Sequence, residues 1–130
     1  MTSGPDDLAA NYAEAFAGRL QFGDRPALLI VDFVMAYLDP ASQLYAGVES
    51  ALASNERLLG AARAAGIPVF FTKVEYSADG REGGVFYRKV PALKLFARGS
   101  PHGAFPPTLQ PLANEQVIRS EERRVGKECA

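Results

Sequence analysis

The sequence predicts an α/β fold organised around a parallel sheet, and three observations support that prediction. Residues 26–33 form an apolar run that is interrupted only by a carboxylate, Asp32. Residues 48–65 carry an amphipathic helical pattern, and residues 69–72 form a second apolar run. A strand, a helix and a strand in that order make a unit whose strands lie parallel with a right-handed crossover.

The first strand is predicted over residues 27–32 and is expected to be buried on both faces, as in a parallel sheet covered by helices. Before it, residues 6–18 have the pattern of a short helix that Gly18 could end and that docks as an appendage or covers a partner subunit. Because the strand ends on Asp32, that carboxylate is expected at the edge where open α/β sheets form their ligand crevices.

The helix predicted over residues 48–65 is the most regular element of the sequence. Gly66 suits the left-handed position that follows a helix, and Pro68 prevents the helix from continuing. The expected buried stripe consists of Val48, Ala51, Leu52, Leu58, Leu59 and Ala62. Residues 33–47 contain an Asp-Pro turn signal and several aromatic residues, so they are expected to pack as a loop over the strand end.

The sequence after the second strand is less regular. A polar, glycine-rich loop is predicted over residues 73–87, at the same edge of the sheet as Asp32. The further expectations are one or two helical turns over residues 91–97, a proline-rich loop over residues 99–111 and the beginning of a third strand over residues 116–118. Residues 119–130 are abruptly charged, and no apolar period continues into them.

Length and composition fit one globular domain with a single core, because 48% of the 130 residues are hydrophobic and the net charge is -1. That charge balance gives no general attraction to nucleic acid or to an anionic membrane. The N-terminus lacks the basic and apolar regions of a secretory signal, and no apolar run approaches the ~20 residues of a spanning helix. We therefore expect a cytoplasmic protein, with neither nucleic acid nor a membrane as partner.

Asp32 is the first candidate for a functional role. An ionisable group at the end of an apolar run is costly to bury unless it is paired or hydrogen-bonded. Asp32 could serve a crevice at the strand end, or it could cap a neighbouring loop by accepting hydrogen bonds from backbone N–H groups. Lys73 and Glu75 follow the second strand as Asp32 follows the first, so they could share the crevice, although solvated loop charges are the favoured interpretation of both.

Four further residues have side chains that could carry chemistry. Arg88, with Lys89 beside it, could hold a carboxylate, because a guanidinium group binds carboxylates in a bidentate manner. His102 is the only histidine and lies in a Gly/Pro-rich loop, so it is expected at the surface; no histidine- or cysteine-based zinc motif and no phosphate-binding glycine loop is present. Cys129 is the only cysteine and lies in a charged stretch, whereas a nucleophilic thiolate needs a preorganised site.

Four segments in order resemble the isochorismatase-like cysteine hydrolases: RPALLIVDFVMAYLDPASQLYAG, the helix after it, GIPVFFTKVEY and GGVFYRKVPALKLFARGSP. The resemblance extends over about residues 8–118, and the branch that it favours is the N-carbamoylsarcosine amidase type. It implies an α/β fold that is the N-terminal part of a doubly wound, Rossmann-like parallel sheet, in a three-layer α/β/α arrangement.

Members of that family use an Asp-Lys-Cys triad, in which a cysteine thiolate attacks an amide-type carbonyl. The resemblance implies that Asp32 is the catalytic aspartate, the base that activates the thiol. Phe33, Tyr37 and Arg88 are the candidate substrate-binding residues. No cofactor and no metal are implied, the partner is a small-molecule substrate, and the parent enzyme is expected to be a homo-oligomer.

Other branches and other classes stay open as alternatives. The metal-dependent nicotinamidases of the family carry a histidine-rich segment after the second strand, and residues 73–87 contain no histidine, which disfavours that branch. Isochorismatase-type hydrolysis of a vinyl ether is the alternative to amide hydrolysis. A non-catalytic α/β module for ligand binding or protein interaction is the alternative to an enzyme.

The C-terminal residues have a resemblance of their own, because RSEERRVGKEC, residues 119–129, matches one translated frame of a common sequencing adapter. An incomplete domain of this family is therefore expected over residues 1–118, with its N-terminal helix at residues 6–18 and its strand-helix-strand unit at residues 27–74. A non-native tail is expected over residues 119–130. Lys127 and Cys129 do not match the family's motifs around its lysine and cysteine, so both are predicted to be non-catalytic and this chain inactive. Half of a doubly wound sheet would leave an unpaired edge and a poorly covered face, so the isolated chain is expected to be poorly soluble or partly unfolded.

Overall fold

The computed structural model describes residues 18–119 together with residues 9, 10, 12 and 15. Those four isolated positions fall within the helix predicted over residues 6–18, and all four are helical and exposed. The rest of that predicted helix and residues 120–130 of the predicted tail lie outside the described residues.

The described part of the chain is built on a sheet of three strands, which are β1 (Leu28–Ile30), β2 (Val69–Lys73) and β3 (Gln116–Arg119). Their order is β1-β2-β3, and both neighbouring pairs are parallel. The predicted α/β fold with a parallel sheet is confirmed. Because all three strands are parallel, their carboxyl ends meet at one edge, where Asp32 and the residues that follow β2 lie.

Strand β1 is shorter than predicted and is buried on one face only. It ends at Ile30, and Asp32 has a φ of 52°, so the extended conformation stops before the aspartate. Ile30 is buried, whereas Leu29 and Val31 are 54% and 61% exposed, so the expectation of burial on both faces is wrong. The reason is that the long helix covers only one face of the sheet within the described residues.

That helix, α1 (Glu49–Ala64), packs its buried residues against the covered face of the sheet. The main core joins Leu59 and Ala62 of the helix to the sheet and to a following loop, and it consists of Ile30, Leu59, Ala62, Val69, Phe71 and Leu109. Gly66 follows the helix with a φ of 68°, as predicted. Leu58 is 56% exposed and does not belong to the buried stripe, because one residue along a helix turns ~100° away from Leu59.

A second, shorter helix, α2 (Gly84–Lys89), begins inside the segment that was predicted to be a loop, so that prediction is wrong from residue 84 onward. Tyr87 of this helix packs edge-on against Tyr76, with ring centroids 5.0 Å apart. A Cβ atom at Gly80 or at Gly83 would collide with the Tyr87 side chain, so these glycines make room for a ring as well as a turn. The helical turns predicted over residues 91–97 are present as a 3-10 helix, Pro91–Phe96.

The loop over the end of β1 is packed, as predicted. It contains a 3-10 turn, Met35–Tyr37, and a second core cluster holds it down through Val34, Ala36 and Phe96. The Met35 N–H also donates to the carbonyl oxygen of Ala104 at 2.9 Å, which ties this loop to the proline-rich segment. Within the described ranges, none of the helices has the length and apolarity needed to cross a bilayer.

Candidate active site

A crevice of about 300 Å³ opens at the carboxyl edge of the sheet, on the exposed face. Its lining consists of Leu29, Val31, Asp32, Thr72, Lys73, Val74, Ile118 and Arg119. A larger hollow lies at the opposite, amino end of the strands, beside Arg63 and Glu115, but those two residues are already paired at 2.7 Å. We therefore place the candidate site at the carboxyl edge, where ligands of open α/β sheets bind.

Asp32 lines this crevice and forms three hydrogen bonds with Thr72. The Asp32 N–H donates to the Thr72 carbonyl oxygen at 3.1 Å and to Thr72 Oγ1 at 3.0 Å. The Thr72 hydroxyl in turn donates to Asp32 Oδ1 at 2.6 Å. Throughout residues 18–119 no backbone N–H donates to the Asp32 carboxylate, so the loop-capping interpretation is not what the structure shows. Oδ2 carries no hydrogen bond from this part of the chain and is available to another group.

Lys73 and Glu75 are not the solvated loop charges that the sequence favoured. Glu75 is only 9% exposed, and its carboxylate lies 3.2 Å from Lys73 Nζ, 3.1 Å from Arg98 Nε and 3.7 Å from Arg119 Nε. Burial alone would raise the pKa of Glu75, but hydrogen bonds from Lys73 and Arg98 and the nearby positive charges lower it overall. Lys73 lines the crevice with Asp32, yet its charge is directed to Glu75.

The candidate substrate-binding residues occupy three different positions. Burial raises the pKa of the Tyr37 phenol, and the negative charge of the Asp32 carboxylate raises it further. Phe33 is half-buried and packs against the main core. Arg88 is exposed on α2, and neither Phe33 nor Arg88 contributes to the crevice lining. A role of these three residues in substrate binding stays a prediction.

His102 lies in a different environment from the exposed surface that was expected. Its Nε2 atom is 3.1 Å from Asp39 Oδ2, and its side chain is three-quarters buried. The described ranges contain no cluster of three or more His, Cys, Asp or Glu side chains that could hold a metal ion. Lys127 and Cys129 lie outside the described residues.

Thr72 is the site residue that the sequence analysis did not identify. It was assigned only as the last residue of the second strand, although it is a polar residue in an otherwise apolar run. Since neighbouring strand residues point to opposite faces, the burial of Phe71 towards α1 directs Thr72 to the exposed face. That alternation was the available signal, but it does not reveal that Thr72 pairs with Asp32.

Comparisons with known proteins all point to the same family. The isochorismatase domain family matches residues 26–124. The chain is 37% identical over 113 residues to maleamate amidohydrolase from Pseudomonas putida, across 85% of this chain and 53% of that protein. It is 33% identical over 86 residues to N-carbamoylsarcosine amidase from an Arthrobacter species, across 62% of this chain and 33% of that protein.

The fold is also similar to that of a cysteine hydrolase from Pseudomonas syringae, with a TM-score of 0.69 and 24% identity. That comparison covers 78% of this chain and 49% of the solved chain. The chain thus spans about half the length, or less, of the relatives that it matches here.

Proposed function

Because the chain belongs to the isochorismatase family, we propose that it carries the base of an amidase that cleaves the C–N bond of a small carbamoyl or amide substrate. The observation that carries this proposal is Asp32, which follows β1 at the carboxyl edge and lines the crevice with Oδ2 available. The names of two relatives, maleamate amidohydrolase and N-carbamoylsarcosine amidase, support amide hydrolysis as the reaction.

In the proposed reaction, Asp32 takes the proton of a cysteine thiol and the thiolate attacks the substrate carbonyl. Protonated Asp32 returns this proton to the substrate nitrogen as the C–N bond breaks and the carbonyl reforms, so that ammonia or an amine leaves and a thioester remains, or a thiocarbamate from a carbamoyl substrate. Water then attacks that carbonyl and gives a proton to Asp32; the acid is released, and the proton passes to the departing thiolate, which restores the thiol and the Asp32 carboxylate. A lysine supports the charges of this triad, and backbone N–H groups near the cysteine stabilise the oxyanion. The size of the crevice suits a small molecule, because about 300 Å³ is the lower end of the range for ligand pockets.

We further propose that neither Lys127 nor Cys129 supplies the other two members of the triad, since the sequence around them does not match the family motifs. The 130-residue chain alone is therefore expected to show little or no turnover. The reading frame amplified from the source DNA would show whether residues 119–130 belong to the native protein.

The test is ammonia release from maleamate and N-carbamoylsarcosine, measured on that native reading frame and on the 130-residue chain. We expect D32N to lower the turnover of the native protein by about 10²- to 10⁴-fold, because it removes the base. D24N is the matched control, since Asp24 is exposed in a turn before β1 and should leave turnover unchanged.

Two results would contradict the proposal. A D32N protein that keeps wild-type turnover would exclude Asp32 as the base. Robust turnover by the 130-residue chain that C129A abolishes would show that Cys129 is the nucleophile after all. A vinyl-ether substrate in the same panel distinguishes amide hydrolysis from the alternative chemistry of the family.

A further inference from the structure

The conformation of Asp32 needs an explanation of its own. Asp32 is the one non-glycine residue with a positive φ in the part of the chain that the structure describes, and its φ is 52°. Non-glycine residues are uncommon in this left-handed region, because the Cβ atom approaches the backbone carbonyl closely, although aspartate is among those that adopt it most often. Such a conformation persists only where surrounding contacts determine it, and those positions cluster at functional sites.

Thr72 supplies contacts of the required kind. Its carbonyl oxygen and its hydroxyl oxygen both accept the Asp32 N–H, at 3.1 and 3.0 Å. Because the hydroxyl oxygen accepts that hydrogen bond, its single proton is directed to Asp32 Oδ1, 2.6 Å away. One side chain therefore fixes both the backbone and the carboxylate of the same residue.

Thr72 is held in the middle of the sheet. Thr72 lies in β2, the central strand, with β1 paired on one side and β3 on the other. In the register it stands opposite Ile118 of β3, while its neighbour Phe71 is fully buried in the main core. A side chain held on a central strand can be placed more precisely than one on a loop.

We infer that Thr72 is a positioning residue, whose hydroxyl holds Asp32 in its left-handed conformation and leaves Oδ2 open to the crevice. The catalytic meaning of this arrangement rests on the proposed function of Asp32 as a base. The arrangement itself does not, because it concerns only the geometry of two residues in this chain. Replacing the Thr72 hydroxyl with a methyl group should therefore disturb the conformation of Asp32.

The test compares T72V, which keeps the shape of the side chain but not the hydroxyl, with T72S, which keeps the hydroxyl. By NMR on the 130-residue chain in dilute solution, two quantities are measured for Asp32. One is the exchange rate of its amide proton, and the other is the three-bond coupling between the amide and α protons, which reports φ. T108V is the matched control, because Thr108 Oγ1 also bonds a carboxylate, that of Glu56 at 2.6 Å, away from the crevice.

We expect T72V to accelerate Asp32 amide exchange by about fivefold, which is the usual effect of one hydrogen bond, and to change the coupling. T72S should restore the exchange rate and the coupling of the wild type, and T108V should change neither. A general loss of stability would accelerate exchange in β2 and β3 as well but would not alter the coupling of the folded form. Exchange and coupling that are unchanged in T72V would overturn the proposal.

If T72V does not fold, the wild-type chain still decides the question. Deuteration of the Thr72 hydroxyl should shift the carboxyl carbon signal of Asp32, because the hydroxyl proton lies between the two side chains. The absence of that shift, or of any protection of the Asp32 amide in the wild-type chain, would overturn the proposal. Failure of the amide assay would instead refute the proposed function and leave this positioning intact.

Discussion

The two faces of the sheet have similar apolar residues but different surroundings. On the covered face, Ile30, Val69 and Phe71 are buried against α1. On the other face, Leu29 and Val31 are more than half exposed beside the crevice that contains Asp32. The covered face therefore supplies most of the buried apolar core, whereas the other face presents the proposed site next to apolar surface that the three-layer arrangement of the family would bury.

The largest expected effect comes from the same substitution made on each face of β2. F71A should lower the free energy of unfolding by about 3–5 kcal/mol, because it leaves a cavity where a fully buried ring was. F70A is the matched control on the exposed face and should cost less than about 2 kcal/mol, since that ring is only partly buried. Urea unfolding measures both. Equal losses would mean that the two faces do not differ in their contribution to stability.

The two carboxylates at the carboxyl edge of the sheet also differ. Glu75 is buried among positively charged groups, whereas one oxygen of Asp32 carries no hydrogen bond from the described residues. The pKa of Glu75 is lowered in the folded protein from an ordinary value of 4.5. Its ion pairs therefore stabilise the fold fully above about pH 4.5 and lose that contribution as the pH falls through the lowered value.

E75Q should cost about 2 kcal/mol at neutral pH, because the amide cannot replace a buried charge among cations, and the cost should shrink below pH 4. Unfolding free energies at several pH values, from urea titrations, provide the measurement. A variant whose stability follows the same acid dependence as the wild type would show that Glu75 is not the group responsible.

The smallest effect on stability, and the clearest on association, is expected from the exposed face. L29S combined with V31S should change the free energy of unfolding by less than about 1 kcal/mol, because both side chains are largely exposed. The double variant should nevertheless be more soluble and more monomeric by light scattering, since exposed apolar patches promote association. L58S is the control, as Leu58 is equally exposed but lies on α1. Improvement by L58S alone, with none from the strand variant, would contradict this explanation.

The sequence predicted the strands, the long helix and the place of Asp32 well, because apolar periodicity and the strand-end rule are local signals. It did not predict how many faces of β1 are covered, since an all-apolar run is the same whether or not a second layer is present. It also mistook α2 for loop, because Gly80 and Gly83 are typical turn residues, while here they make room for the ring of Tyr87.

The sequence could not predict which polar side chains pair with each other, for a different reason. Thr72 and Asp32 are 40 residues apart, and only the register of β1 against β2 brings the hydroxyl to the carboxylate. The ion pair between Glu75 and Arg98 likewise joins residues that are 23 positions apart in the sequence. Side-chain chemistry suggested candidates, but tertiary contacts decided which charges are paired.

The five residues of β2 serve both faces through the odd and even positions of a single strand. Phe71 and Thr72 are adjacent, yet one completes the core and the other holds the aspartate. Deleting one residue of β2 before Phe71 would shift the register of the strand by one position. The core side chains of the strand would then point to the exposed face, and Thr72 would point to the core. The fold therefore depends more on the number of residues in β2 than on the identity of most of them. An insertion or deletion in β2 should be less tolerated than most substitutions in it.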